Sequence, residues 1–132
     1  MNEDNNGMRY KSDIDINNKE DVHVVEFEYI DENKNVLDVG CACGDFGVIL
    51  KKYKNSNVYG IERDKKAIDI AMKTESYMEI IHIDLDRLQN DDLLAYKNKF
   101  DYIVCGDILE HLQNPMEILS ILKCALMKVA IL

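Results

Sequence analysis

From residue 35 onward the chain alternates short apolar runs with longer mixed segments. The apolar runs at 36–39, 57–61, 78–83 and 100–105 have the length of buried strands. Apolar residues at helical spacing predict helices at 45–54, 64–73, 88–96 and 115–128. Asn114 as N-cap, Pro115 in the first turn and Glu117 in a capping box mark the start of the last helix. Because strands and helices alternate, the pattern predicts an α/β fold with right-handed crossovers and a doubly wound, mostly parallel sheet.

Residues 1–35 have a different character from the rest of the chain. They are polar and rich in Asn, Asp and Glu, with one amphipathic element at 21–30. We expect an N-terminal arm with a helix that lies on the domain, followed by the domain core at 36–132. No internal repeat or low-complexity linker suggests a further domain.

Composition and charge narrow the possible functions. The chain has 132 residues, of which 47% are hydrophobic, and this suits one domain. No run of ~20 apolar residues occurs and the first residues are polar, so we expect neither membrane span nor signal peptide, and a cytoplasmic protein. The net charge of −9 argues against nucleic acid as a partner. Four cysteines without zinc spacing are expected to be small buried residues.

Three carboxylates follow the first three predicted strands. The first strand carries Asp38 and runs into a glycine-rich turn that begins at Gly40. Glu62 ends the second strand about 20 residues later, where doubly wound sheets bind the two hydroxyls of a ribose. Asp84 ends the third strand, where it could accept a hydrogen bond from an adenine amino group or cap the next helix. The spacing therefore predicts a nucleoside-type cofactor.

The glycine turn by itself leaves two cofactor classes open. Ala42, Gly44 and Gly47 differ by one residue from the fingerprint with which backbone N–H groups bind a dinucleotide pyrophosphate. An NAD-type dinucleotide-binding protein is therefore one alternative. Asp38 disfavours it, because a carboxylate just before the turn would repel a pyrophosphate but suits a ligand with an ammonium and a sulfonium. Asp38 could also cap the N–H groups of the turn itself.

Four ordered motifs resemble those of the class I S-adenosylmethionine-dependent methyltransferases. They are DVGCACG at 38–44, GIE at 60–62, DL at 84–85 and FDYIVCGDILEHL at 100–112. The resemblance implies a Rossmann-like fold with strand order 3-2-1-4 and a partial fifth strand, and S-adenosylmethionine as cofactor with S-adenosylhomocysteine as product. It places cofactor contacts at Asp38, Gly40, Cys41, Ala42, Gly44, Glu62, Arg63, Asp84, Leu85, Gly106 and Asp107. The run YKSDID at 10–15 is similar to bacterial methyltransferases that are found with glycosyltransferases of surface-polysaccharide synthesis.

The segment after the fourth strand holds the candidate catalytic residues. By the resemblance, Asp107 lies at the rim next to the transferable methyl, and His111 is the candidate base for a hydroxyl or ammonium acceptor. His111 could instead cap or pack the turn before Pro115. Asp107, Glu110 and His111 share one face of a helical turn, as in some metal-dependent RNA methyltransferases, but a further ligand would have to come from His23 or His82. We predict no metal.

The end of the sequence departs from the family pattern. After the last predicted helix no glycine pair occurs, and the sequence lacks the antiparallel hairpin that usually closes the sheet and covers the acceptor. We expect a methyltransferase acting on a small-molecule or saccharide acceptor. A non-catalytic module that binds S-adenosylmethionine or S-adenosylhomocysteine is the alternative, and a purely structural protein would leave the three acids unexplained. We also expect an apolar sheet edge at 100–105 or 129–132, which either supports a homodimer or is covered by the segment 21–30 of the same chain.

Overall fold

The computed structural model describes residues 14–127, in which a four-stranded parallel sheet forms the centre. The strands are β1 (Asn35–Val39), β2 (Asn57–Glu62), β3 (Tyr77–His82) and β4 (Tyr102–Val104), in the order β3-β2-β1-β4. The predicted α/β fold and strand order are confirmed. The segment 129–132, which was expected to form a partial fifth strand, lies outside the described residues, as do residues 10–13 of the YKSDID run.

Helices cover both faces of the sheet. They are α1 (Val22–Tyr29), α2 (Asp45–Lys54), α3 (Lys65–Lys73) and α4 (Pro115–Lys123), together with 3-10 helices at Leu85–Arg87, Asn90–Tyr96 and Leu109–His111. The N-cap of α4 is as predicted, because the Asn114 side chain accepts a hydrogen bond from Glu117 N at 3.3 Å. No helix within residues 14–127 is long and apolar enough to cross a bilayer.

Two predicted elements differ in the structure. The segment predicted as a helix at 88–96 forms a 3-10 helix at Asn90–Tyr96, in which Leu93 is buried and the Tyr96 ring stacks on Phe100 at 6.2 Å between centroids. The last helix ends at Lys123, and the chain then turns back toward the sheet. There Phe100 N donates to Ala125 O at 2.9 Å and Met127 N donates to Phe100 O at 2.7 Å. These bonds pair Phe100 with Leu126, so β4 begins after Phe100.

Alternate residues of β1 point into two apolar cores. Leu37 packs with residues of β4 and α4 on one face, and Val36 packs with residues of α1 and α2 on the other. Asp38 follows the same alternation and therefore lies on the face of Val36. This placement puts a carboxyl group beneath α1 and α2.

The N-terminal helix packs against the core, as expected for the amphipathic element. Val24, Phe27 and Ile30 are buried, and Asp21 caps the helix by accepting a hydrogen bond from His23 N at 2.8 Å. Three of the four cysteines are buried and Cys124 is exposed, so the expectation of small buried cysteines holds except at Cys124.

Candidate functional site

A cleft of about 820 Å³ opens where the parallel strands end. Its size is within the range of small-molecule sites, roughly 300–1,000 Å³. Carboxylates from successive strand ends and turns line it, namely Asp38, Glu62, Asp64, Asp84, Asp86 and Asp107. The basic side chains of the lining are His23, Arg63 and His111. Parallel strands bring residues distant in sequence to one edge, and the three predicted acids therefore meet in one cleft.

The turn after β1 presents its backbone to the cleft. Gly40 has a φ of 74° and donates its N–H to Ile61 O at 2.8 Å, which ties the turn to β2. A Cβ at Gly40 would lie 3.2 Å from the Ile108 side chain, which also lines the cleft. Ala42 also has a positive φ, 49°, an unusual conformation for a residue other than glycine. The positive φ angles of Gly40 and Ala42 turn the backbone sharply where it lines the cleft.

Both oxygens of Glu62 accept hydrogen bonds from backbone. Oε1 accepts from Ala42 N at 2.9 Å, and Oε2 accepts from Arg63 N and Asp64 N, each at 2.9 Å. An ionised carboxylate offers about four acceptor positions, so this one can still accept from a ligand hydroxyl. The fold therefore fixes the orientation of Glu62 without using its full capacity.

Asp38 is a buried carboxyl with one specific partner. Its exposed fraction is 6%, and Tyr77 Oη donates to its Oδ2 at 2.7 Å. Burial raises the pKa of Asp38 to about 6, against the opposing effect of the Tyr77 hydrogen bond. A buried carboxylate near other acids is most stable beside a cation, so this end of the cleft favours a positively charged ligand group.

Tyr77 was not identified from the sequence, although it controls the surroundings of Asp38. Its hydroxyl accepts a hydrogen bond from Gly47 N at 3.1 Å while it donates to Asp38. A Cβ at Gly47 would lie 2.3 Å from the Tyr77 ring, so only glycine permits this approach. Gly47, at the third position of the near-dinucleotide fingerprint, thus allows close contact with a tyrosine of β3.

Asp84 both caps a turn and lines the cleft. Its Oδ1 accepts a hydrogen bond from Asp86 N at 3.1 Å at the start of the 3-10 helix Leu85–Arg87. Leu85 is buried and also lines the cleft. The two roles considered for Asp84 are therefore geometrically compatible.

The segment after β4 forms the outer rim. The side chains of Asp107 and His111 are 78% and 71% exposed, and His111 Nε2 lies 3.7 Å from Glu110 Oε1. Within the described part of the chain, no group of three or more His, Cys, Asp or Glu side chains could hold a metal ion. Asp107 and His111 thus lie at the cleft and in contact with solvent, and their catalytic role stays a prediction.

His23 is a cleft residue whose position the sequence did not predict. It lies on α1, with Nδ1 3.4 Å from Glu26 Oε1 and Nε2 4.0 Å from Asp107 Oδ2. Its ring faces Phe46 at 5.7 Å between centroids. The Glu26 carboxylate raises the pKa of His23, although partial burial opposes the change. The spacing of His23 and Glu26 on a helix could have indicated a pair, but not that this pair faces the cleft.

Cys41 and Gly44 are not among the residues that line the cleft. A Cβ at Gly60 would lie 2.8 Å from Cys41 Sγ, which shows how closely this thiol packs on β2. Burial raises the pKa of the Cys41 thiol far above its usual range and that of Cys105 to about 12, so neither forms a ready thiolate. Gly44, with a φ of 91°, begins α2 close to Ala71. Their predicted cofactor contacts stay predictions.

A sheet in the order 3-2-1-4 with acids at three strand ends defines a nucleoside-binding α/β protein. A family model described as "Methyltransferase domain" matches residues 30–131. The chain belongs to this family, and the resemblance to class I S-adenosylmethionine-dependent methyltransferases is confirmed.

Curated relatives carry methyltransferase names. The chain is 32% identical over 97 residues to a ubiquinone biosynthesis O-methyltransferase of Actinobacillus pleuropneumoniae, a match that covers 70% of the chain and 41% of the relative. It is 32% identical over 83 residues to a ribosomal protein L11 methyltransferase of Dictyoglomus turgidum, covering 63% of the chain and 27% of the relative. The chain thus spans less than half the length of these relatives.

Solved structures share the fold. A TehB-like SAM-dependent methyltransferase from Corynebacterium glutamicum superposes with a TM-score of 0.67 and 23% identity, covering 95% of this chain and 64% of that one. The PH0226 protein from Pyrococcus horikoshii gives a TM-score of 0.63 with 24% identity, covering 85% and 56% of the two chains. At these identities the comparison supports the fold alone.

Proposed function

We propose that this chain binds S-adenosylmethionine in the cleft and transfers its methyl group to a small-molecule or saccharide acceptor. The observation that carries the proposal is the convergence of Asp38, Glu62 and Asp84 on one cleft at the ends of three parallel strands. Membership of the methyltransferase family also supports methyl transfer as the activity.

The residues present fit the parts of this cofactor. Glu62 is oriented by three backbone N–H groups, and of its about four acceptor positions one remains for a ribose hydroxyl. Asp84 has one oxygen bonded to Asp86 N, and its remaining capacity suits the adenine amino group. Asp38 is buried and suits the ammonium of the methionine part. A dinucleotide fits less well, because its pyrophosphate would lie beside these acids.

S-adenosylmethionine supplies a methyl group that its sulfonium already activates. The chain therefore has to align the acceptor with the methyl and exclude water, and such positioning can contribute roughly 7 to 11 kcal/mol. Asp107 and His111 lie at the rim, where an acceptor would enter. With a hydroxyl acceptor, His111 would take the proton as the bond from oxygen to the methyl carbon forms and the carbon–sulfur bond breaks. Its exposure lets it return that proton to water.

Acids outnumber basic residues along the cleft, which disfavours a strongly anionic acceptor. The alternative to this proposal is a module that binds the cofactor without transferring its methyl group. Methyl transfer is therefore tested apart from cofactor binding.

Calorimetric titration tests the cofactor assignment. We expect S-adenosylhomocysteine and S-adenosylmethionine to bind and NAD not to bind. Replacing Glu62 by Ala should weaken S-adenosylhomocysteine binding at least tenfold, because each charge-assisted hydrogen bond is worth roughly 1.5 to 3 kcal/mol. Glu79→Ala is the matched control, since Glu79 lies on β3 and does not line the cleft. Equal affinity of the Glu62 variant and the wild type would remove the assignment, provided that both unfold at similar temperatures.

Transfer of labelled methyl groups to a panel of hydroxyl and amine acceptors tests the catalytic part. Production of S-adenosylhomocysteine in proportion to methylated acceptor would support an enzyme. Tight cofactor binding without transfer to any acceptor would favour the non-catalytic module.

A further inference from the structure

The methionine end of the cleft contains one buried acid and one basic residue from another element. Asp38 belongs to β1 and His23 to α1, and each affects the ionisation of the other. Both line the cleft. A buried acid beside a partly exposed base is complementary to a zwitterion, whose two charges the pair can neutralise separately.

From this arrangement we infer that His23 binds the α-carboxylate of the methionine part of the cofactor, while Asp38 faces its ammonium. The inference rests on the proposed function, because it assigns a further residue to the same ligand. It also gives α1 a role in ligand binding that the sequence motifs do not indicate.

The two nitrogens of His23 have different surroundings. Nδ1 lies against Glu26 Oε1 at 3.4 Å, and neither atom has a hydrogen-bond partner elsewhere in residues 14–127. Glu26 therefore favours a proton on Nδ1 and a charged ring. Nε2 is 4.0 Å from Asp107 Oδ2, too far for a hydrogen bond, and remains able to donate to a ligand oxygen. The charged groups around the ring are Glu26 and Asp21 of α1, Asp38 of β1 and Asp107 beyond β4.

The ring position is fixed by contacts on two sides. Phe46 of α2 faces it at 5.7 Å, and a Cβ at Gly106 would lie 3.1 Å from its Cε1. Gly106 thus allows the ring to lie close to the backbone that follows β4. The other basic residues of the lining are placed differently, because Arg63 follows the ribose acid Glu62 and His111 is on the exposed rim.

The test compares two ligands that differ only in the carboxylate. S-adenosylhomocysteine carries it, and its decarboxylated analogue, the adenosyl 3-thiopropylamine, keeps the ammonium, the ribose and the adenine. Titration calorimetry should show that wild type prefers S-adenosylhomocysteine by about tenfold or more, as expected for one charge-assisted hydrogen bond. His23→Ala should lose this preference by binding S-adenosylhomocysteine more weakly while binding the analogue as before.

Two further variants separate charge from structure. His23→Lys keeps a cation and should restore part of the preference, whereas His23→Gln should not. Val25→Ala, on the exposed side of the same helix, is the control for effects on α1 and should leave both affinities unchanged.

Three outcomes would count against the inference. An equal loss of affinity for both ligands in His23→Ala would show that His23 only shapes the cleft. Unchanged affinity for both would show that it makes no contact. If wild type bound both ligands equally well, the carboxylate would have no partner here. If it bound neither ligand, the proposed function itself would fail, and this result is distinct from the other three.

Discussion

Asp38 is the residue whose ionisation should respond most visibly to folding. Its pKa is raised to about 6 by burial, so the folded state holds this proton more tightly than the unfolded chain does. Stability from this group is fully present below the unfolded pKa of roughly 4 and is lost as the pH rises through about 6. The ionised form becomes tolerable when a ligand brings a cation, which links binding to proton release.

Replacing Asp38 by Asn tests this link. The amide oxygen can still accept from Tyr77, but the side chain no longer titrates. Relative to wild type, the variant should therefore gain stability between pH 4 and pH 7.5, by about 1.4 kcal/mol for each unit by which folding raises the pKa. Urea unfolding of wild type and Asp38→Asn at pH 4 and pH 7.5, without ligand, measures this gain in stability. A constant difference would mean that Asp38 titrates normally.

Asp84 should select adenine, because its side-chain oxygen would accept a hydrogen bond from the exocyclic amino group of that base. Asp84→Asn keeps that acceptor and should bind S-adenosylhomocysteine nearly as well as wild type, whereas Asp84→Ala should bind it several-fold more weakly. Asp84→Ser is the informative control, since serine preserves an N-cap but is too short to reach the base. Calorimetry that ranks Ser with Ala would support a ligand contact, and Ser ranked with Asn would leave only the cap.

At the scale of elements, α2 and β3 meet through a glycine and a tyrosine. Gly47 lies within α2, where Ala would normally be favoured by about 1 kcal/mol. A Cβ there would overlap the Tyr77 ring at 2.3 Å. The overlap outweighs the helix propensity, so the sequence keeps a glycine in the first turn of this helix.

Because the Tyr77 ring occupies this space, the effect of Gly47→Ala on stability should change sign when Tyr77 is shortened. Gly47→Ala alone should destabilise the protein by roughly 1 to 3 kcal/mol, the usual cost of overpacking. In a Tyr77→Val background the overlapping ring atoms are gone, and the same substitution should stabilise by about 0.5 to 1 kcal/mol. Thermal unfolding of wild type, Gly47→Ala, Tyr77→Val and the double variant gives the effect of Gly47→Ala in both backgrounds. A destabilising effect in both backgrounds would show that another neighbour restricts Gly47.

Elements defined by local pattern were predicted well, and those defined by distant partners were not. The parallel strands and the acids Glu62 and Asp84 follow from apolar runs and their ends. Beyond the end of α4, Leu126 pairs with Phe100 in a contact that no local pattern shows. Tyr77 and His23 escaped prediction for the same reason, since each acts on residues far away in sequence. Their positions became evident only with the packing of α1 and β3.

On the scale of the whole molecule, β4 lies at one end of the four-stranded sheet. Phe100, just before this strand, pairs with Leu126, but Tyr102–Val104 has β1 as its only strand neighbour in residues 14–127. Edge strands with apolar residues tend to recruit partners. The homodimer expected from the sequence would use this edge, and it stays a prediction.

Sedimentation over a range of protein concentrations, together with hydrogen exchange of the β4 amides, tests whether chains associate through this edge. We expect self-association and slow exchange of the β4 amides, with the interior strand β1 as internal reference. A monomer at all concentrations whose β4 amides exchange much faster than those of β1 would contradict association through this edge. Because the binding cleft lies at the carboxyl ends of the strands, S-adenosylhomocysteine should not alter the association.

The hydrogen bond from Ala42 N to Glu62 is part of a larger connection within the cleft. One carboxylate joins the turn after β1 to the backbone at the start of α3, through the N–H groups of Ala42, Arg63 and Asp64. If the cleft binds S-adenosylmethionine as proposed, the part that would hold the ribose is thus fixed by the fold itself. Little conformational entropy remains to be lost on association, so entry should be governed by diffusion and the release of water rather than by closure of a loop.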